Sequence, residues 1–449
     1  MTTAFAARQE PPPPPRRLAP PMPQRVEDTG LSAEFIIDLI IKTLYAQGAR
    51  TGQQLCDAVC LPFPFVDEQV LSLQQRRMIE VRGTSGPSRG GYMFDLTAEG
   101  RARAREALEG SQYVGPAPVP LRQYREWVDH QSIRHAHVTR AVVEEGFNWL
   151  VLAPEMLDQV GPAINSAKSL FLYGAPGNGK TYISETIAGL LGGHLYIPHA
   201  IEVDGQVLLL YDPVHHHLAP EDERDTLVAG QPAWLKTSAP YDRRFVRIER
   251  PIVLVGGELT LDQLDLQYDP YTKMYQAPFQ LKSNGGVLIL DDFGRQRVPP
   301  RELLNRWIVP LEKRIDFLTL HTGGKFPVPF DTLLIFATNL APTELVEEAF
   351  LRRIHYKIHV LDPSGEEYRE IFRRCCAERD IAYDDSAVRY VYSEYYKRLG
   401  LSPRKCHPRD ILDHLLDLAR FLEIEPRLTP ELLDRACQSY FLDEVGKPV

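Results

Sequence analysis

Little in this sequence would carry the chain out of the cytosol or into a membrane. Only six of its 449 residues are cysteine, Cys56, Cys60, Cys375, Cys376, Cys406 and Cys437, and no two stand as Cys-x-x-Cys. A disulfide scaffold is therefore not expected, and the cysteines read as reduced. No apolar run approaches the roughly 18 residues that span a bilayer, and the first residues lack the apolar stretch of a secretory signal. The expected location is cytoplasmic, without membrane insertion. Positive charge is also in short supply: 51 Lys and Arg stand against 60 Asp and Glu, a net charge of −9, so binding to nucleic acid would need a local patch. Proline, at 37 residues, is what the chain has in excess, and it helps to divide the sequence.

Residues 1–28 carry the run Pro11 to Pro15 followed by Pro20, Pro21 and Pro23, with little apolar material to bury, and read as a mobile tail. From Leu31 the apolar spacing predicts a helix capped by Ser32, a second over residues 51–59, and a third from Val66 to about Arg77, after Pro62 and Pro64 break the chain. Two short strands around a Gly/Ser turn, residues 78–82 and 92–97, precede a closing helix over 98–108. This order, with the phrase Asp95-Leu-Thr-Ala-Glu-Gly-Arg101, resembles a winged helix-turn-helix domain over 29–112. The resemblance implies that the third helix would enter a DNA groove. Arg76, Arg77, Arg82 and Arg89 suit phosphates there, whereas Asp67 and Glu68 repel them. DNA binding and protein docking both stay open. Residues 113–144 read as a linker.

The clearest motif follows. A strand at residues 169–173 leads into Gly174, Ala175, Pro176, Gly177, Asn178, Gly179, Lys180 and Thr181, and then into a helix from Tyr182 to Leu191, with Tyr182 counted alongside the loop as nucleotide-binding. This is the G-x-x-x-x-G-K-T phosphate-binding loop in its strand-loop-helix setting. Glycines let successive backbone NH groups point inward at the phosphates of ATP, and the helix N-terminus adds its dipole. Lys180 would neutralise the β- and γ-phosphates, and the Thr181 hydroxyl would hold Mg²⁺. Downstream, the apolar run Gly285-Gly-Val-Leu-Ile-Leu-Asp-Asp292 ends in two carboxylates. Asp291 would hold Mg²⁺ and Asp292 would polarise the attacking water. Another apolar strand ends at Asn339, Arg352 and Arg353 precede the next strand, and Arg409 opens a helix in an all-helical tail.

In this order the motifs over residues 145–445 resemble the AAA+ ATPase family: Walker A, Walker B, sensor 1, arginine finger, and a helical lid with sensor 2. The expected fold class is α/β, a P-loop domain with a parallel sheet over 145–361 and a helical lid over 362–449, preceded by the winged domain. The resemblance makes Asn339 the sensor 1 residue, Arg352 or Arg353 the finger reaching a neighbouring subunit's nucleotide, and Arg409 sensor 2. Where the family usually has Glu as the second Walker B residue this chain has Asp292, a shorter carboxylate that points to slow turnover or another base.

Residues 197–285 exceed what a compact core needs, and 317–330 reads as a hairpin around Gly323 and Gly324. Both features are similar to AAA+ proteins with a pre-sensor-1 hairpin, among them MoxR-like proteins and sigma-54 activators, although the activators' Gly-Ala-Phe-Thr-Gly-Ala loop is absent. Tyr268, Tyr271 and Tyr275 lie where that clade projects loops at a ring pore, to grip a substrate or simply to pack. His215, His216 and His217 do not share one face, so a solvated loop is expected rather than a metal site. The resemblance implies a ring, expected to be a hexamer of this chain, that uses ATP to remodel a protein partner. The rivals are a DNA-associated regulator or loader and a nucleotide-gated scaffold that scarcely hydrolyses.

Overall fold

The computed structural model describes residues 19–220, 241–345 and 348–441. The tail expected to be mobile lies outside them as far as residue 18. The remaining stretch, 19–28, is placed instead. The chain divides into two compact units, 1–131 with 220–246, and 132–219 with 247–449.

In the first unit, the helix Ala33–Gln47 starts at Ser32, whose Oγ accepts from the Phe35 amide at 3.2 Å, and buries Ile36, Ile40 and Leu44. The third helix runs Phe63–Gln75 and takes Pro64 into its first turn, where a missing NH costs nothing. It therefore starts three residues earlier than the sequence suggests, and it stops before Arg77, which is left-handed at φ 56°. Strand Ile79–Thr84 pairs antiparallel with Tyr92–Leu96, and the two-residue strand Arg50–Thr51 lies on the other edge of the latter. The expected linker holds a helix, Leu121–His130, that buries Tyr124, Trp127 and Val128. Part of the long insertion also belongs to this unit. Arg244, 2 % exposed, pairs with Asp242 at 2.7 Å and donates to Thr29 O at 2.9 Å and Gln123 Oε1 at 3.3 Å.

The second unit is built on five parallel strands: β1 Leu170–Tyr173, β2 Ile252–Val255, β3 Val287–Leu290, β4 Leu333–Thr338 and β5 Tyr356–His359. Their order is β2-β3-β4-β1-β5. Strands β1, β3 and β4 are apolar at nearly every position because both faces are covered, as the continuous runs in the sequence require. Alternate side chains feed two cores. Leu170, Leu172, Val287, Ile289, Leu333 and Ile335 pack with the helices Pro154–Ser166 and Lys180–Leu191. Phe171, Leu288, Leu290, Leu334 and Phe336 pack with Leu303, Leu304 and Trp307 of the helix Pro300–Lys313. Each such fully buried side chain contributes about 1.5–3 kcal/mol. Strand β2, which the sequence reads as part of the insertion, is an edge of this sheet: Val253 and Val255 are buried while Ile252 and Leu254 are exposed.

Two hairpins stand beyond the sheet. One pairs Ile315–Thr319 with Lys325–Pro329, as expected, and the other pairs Gln267–Asp269 with Met274–Gln276. The tail is helical over Gly365–Glu378, Asp385–Val391, His407–Phe421 and Pro430–Tyr440 around its own apolar core. Among the described residues no helix is long and apolar enough to cross a membrane.

Candidate functional site

The carboxyl ends of β3, β4 and β1 lie side by side, with Leu290 opposite Phe336 and Thr338 opposite Tyr173. Residues just beyond those ends therefore meet without further folding. In the loop after β1, Gly174, Gly177 and Gly179 have φ of 146°, 82° and 82°, a region costly for any side chain. A Cβ on Gly174 would lie 2.3 Å from Val360 O and one on Gly177 2.6 Å from Cys406 Sγ, whereas the space over Gly179 is open to 4 Å. The loop is thus closed at its sides and open above the start of the helix Lys180–Leu191, which has no side-chain cap for its first amides.

Around that opening the expected residues form one hydrogen-bonded network. Lys180 Nζ donates to Gly174 O and Ala175 O at 3.0 Å each and to Asn339 Oδ1 at 2.6 Å. Asn339 Nδ2 donates to Asp292 Oδ1 at 3.1 Å, Asp292 N donates to Asp291 Oδ1 at 2.9 Å, and Thr181 Oγ1 donates to Asp291 Oδ2 at 2.8 Å. Burial pushes the Lys180 ammonium below its ordinary value, Asp291 and Asp292 counter that shift, and Arg404 adds to it. Asp292 is left-handed at φ 46°, a conformation that aspartate tolerates better than most residues. The residue is exposed.

The tail reaches this loop through a segment the sequence does not single out. Cys406 N donates to Gly177 O at 2.9 Å, and Lys405 N donates to Asn178 Oδ1 at 3.2 Å. Asn178, 1 % exposed, passes its own Nδ2 to Asp362 Oδ1 at 2.7 Å, and Arg404 pairs with the same carboxylate. His407 Nδ1 accepts from Arg404 N at 3.3 Å and stands 2.8 Å from the Tyr396 hydroxyl. Burial lowers His407 to about 4, so the ring is neutral and free to accept. Asp362 carries no local signal, because its place beside Asn178 depends on β5 lying next to β1. The expected lid arginine, Arg409, is not in the Lys180 network: it pairs with Asp410 at 2.9 Å and lies near Tyr182.

Arg352 and Arg353 stand at the opposite end of the sheet. A cavity of about 620 Å³ is lined there by Lys168, Arg314, Arg352, Arg353 and His355, with Glu312 beside them. Lys168 precedes β1 and His355 precedes β5, so this is the amino end of the strands. Arg353 pairs with Glu312 at 2.6 Å, while Arg352 is exposed and has no ion pair among the described residues.

Of the three tyrosines, Tyr275 is 1 % exposed, Tyr268 stacks on His321 with ring centres 3.9 Å apart, and Tyr271 alone projects, 84 % exposed. The histidine triplet is not wholly solvated. His216 is buried: Nδ1 accepts from Asp212 N at 3.0 Å and Nε2 lies 2.8 Å from Lys282 O. No group of three metal-ligating side chains occurs among the described residues.

Residues 364–439 match a family described as a domain of unknown function (DUF8689). No curated protein matches the chain. Among solved structures, it is similar to a single-residue mutant of Thermotoga maritima RuvB at 13% identity, covering 71% of this chain and 76% of that one, with a TM-score of 0.35. Thermotoga maritima RuvB described as a Holliday junction branch migration motor aligns at 16% identity over 70% and 75%, with a TM-score of 0.33. NtrX from Brucella abortus, in complex with ATP, aligns at 13% identity over 76% and 68%, with a TM-score of 0.39. Likenesses this remote say nothing about activity.

Proposed function

We propose that the chain is a Mg²⁺-dependent ATPase of the AAA+ type that assembles as a ring of six subunits in the cytoplasm and remodels a protein partner. The observation that carries this reading is the joining of Lys180, Thr181, Asp291, Asp292 and Asn339 in one network above an open glycine cradle. Bound MgATP supplies the anhydride to be cleaved and the charge of the cation. The Thr181 hydroxyl and the Asp291 carboxylate are the hard oxygen ligands Mg²⁺ takes, and they already share a hydrogen bond. Lys180 is aimed across the cradle by two loop carbonyls, so its charge faces incoming phosphates with little rearrangement. Asn339 ties that ammonium to Asp292, the residue proposed to hold the attacking water. In the lid, Arg409 is proposed to contact phosphate after breaking its exposed pair with Asp410.

The two finger candidates lie at the far end of the strands from their own Lys180, which favours action on a neighbouring subunit and hence a ring. Tyr271, at the tip of its hairpin, is the residue proposed to touch the partner protein. For residues 29–112, read as a winged-helix domain, protein docking is favoured over DNA. Arg76 pairs with Glu34 at 2.9 Å, Arg82 with Asp95 at 3.0 Å and Arg89 with Asp67 at 2.8 Å, so three of its four candidate phosphate contacts are already engaged.

The test is a mixing experiment. Arg352→Ala with Arg353→Ala should spare ATP binding and lower turnover by roughly a thousandfold or more. Adding Lys180→Ala subunits, which cannot hold nucleotide but carry intact fingers, should restore part of the rate. Turnover like that of the unmodified protein in the double variant would sink the ring mechanism.

A further inference from the structure

One carboxylate beside the phosphate loop is bonded from two directions at once. Asp362 lies three residues beyond the end of β5, and β5 runs parallel to β1 with His359 opposite Tyr173, so the chain leaving β5 passes the loop that leaves β1. There Asp362 Oδ1 accepts from Asn178 Nδ2 at 2.7 Å and pairs with the Arg404 guanidinium. The Asn178 amide is fully used, since its Oδ1 accepts from Lys405 N at 3.2 Å. Arg404 stands close to the loop as well. Its Cβ lies 3.5 Å from where a Cβ on Gly177 would stand, and two residues later Cys406 N donates to Gly177 O at 2.9 Å. Burial, and with it the charge of Arg404, lowers the Lys180 ammonium, so the guanidinium is felt inside the cradle. Its partner is nevertheless Asp362, in a pair whose side chains are 25 % and 37 % exposed.

We propose that Asp362 is a positioning residue that acts as an internal competitor for phosphate: it holds Arg404 at the side of the loop, and an anion entering the cradle competes with it for that guanidinium. This rests on the nucleotide-binding reading above. A guanidinium offers carboxylate and phosphate the same fork of NH donors, so it cannot serve both fully. Asp362 therefore lowers the affinity of the cradle while ordering the loop through Asn178. The two effects are separable, because an amide at 362 keeps an acceptor oxygen for Asn178 Nδ2 and removes only the charge. A partly exposed ion pair is weak, so its release tightens phosphate binding by about two- to fivefold.

Calorimetric titration of the full chain with inorganic tripolyphosphate and with ADP tests this. Asp362→Asn should bind both more tightly than the unmodified protein by that factor, whereas a residue that only supported the loop would give weaker binding when altered. Arg404→Gln alone should weaken binding, and Asp362→Asn combined with Arg404→Gln should bind no more tightly than Arg404→Gln. Unchanged or weaker binding in Asp362→Asn overturns the competition while the nucleotide site stands. A gain that persists in the double variant also overturns it, because the carboxylate then only repels the anion. If the unmodified protein binds neither ADP nor tripolyphosphate, the nucleotide reading itself falls.

Discussion

The two ends of the parallel sheet are built on opposite electrostatic principles. At the carboxyl ends, charge is balanced within the chain: the Lys180 ammonium faces two carbonyls, an amide and two carboxylates, and every expected side chain except Arg409 has a partner in the network. At the amino ends, Lys168, Arg314, Arg352 and Arg353 surround a cavity against the single carboxylate of Glu312. Arg314 Nη1 has no hydrogen-bond partner, and the nearest carboxylate, Asp331, is 3.6 Å away, within ion-pair range only. One end is complete by itself. The other keeps Arg353 paired with Glu312 and Arg314 within ion-pair range of Asp331 but leaves Arg352 without an ion pair among the described residues, the residue proposed above to act on a neighbouring subunit.

Perturbing each end separately tests that contrast. The largest effect should come from Lys180→Ala, which leaves the carboxyl end without its cation: ATP binding measured by titration should disappear while the fold survives. The amino-end double arginine variant should keep that binding, and loss of binding there would erase the distinction between the ends. A smaller effect is expected for Asn339→Ala, which unties Lys180 from Asp292. Steady-state kinetics should show kcat falling about a hundredfold with KM for ATP nearly unchanged, since the phosphates keep their contacts and only orientation is lost. Smallest is the pH response of His355. Its pKa is lowered by burial first and then by Lys168, with Lys357 and Arg314 adding to the shift. A base whose folded pKa lies below its unfolded value contributes stability above about pH 6.5 and loses it as pH falls through the folded value. Thermal midpoints measured between pH 7 and 5 should therefore drop less steeply in His355→Gln. The side chain is exposed, so the difference stays below about 1 kcal/mol.

Much of the site is legible before folding because its parts are local. Glycine spacing, the lysine and threonine after it, and two carboxylates at the tip of an apolar run are each a property of one short segment. Residues such as Asp362, Arg404 and Lys405 are not legible in that way. They matter because Asn178 is buried against them, and that contact joins segments more than 180 residues apart in the chain. The insertion shows the same limit. Residues 252–255 look like part of an excursion, yet they supply an edge strand, since Val253 and Val255 find a covered face only beside β3. Pro64 looks like a helix breaker, but a first-turn position removes the penalty that an interior position would carry.

By itself, the sequence determined the α/β class, the glycine loop with its lysine, and the pair of carboxylates at the tip of β3, because periodicity and turn chemistry act over a few neighbouring residues. Only the tertiary structure decided which arginine stands at which end of the sheet, that Tyr271 rather than Tyr268 or Tyr275 projects, and that Asp362 holds both Asn178 and Arg404. Those outcomes depend on strand order and on which side chains find partners across long stretches of chain, and no local pattern encodes either.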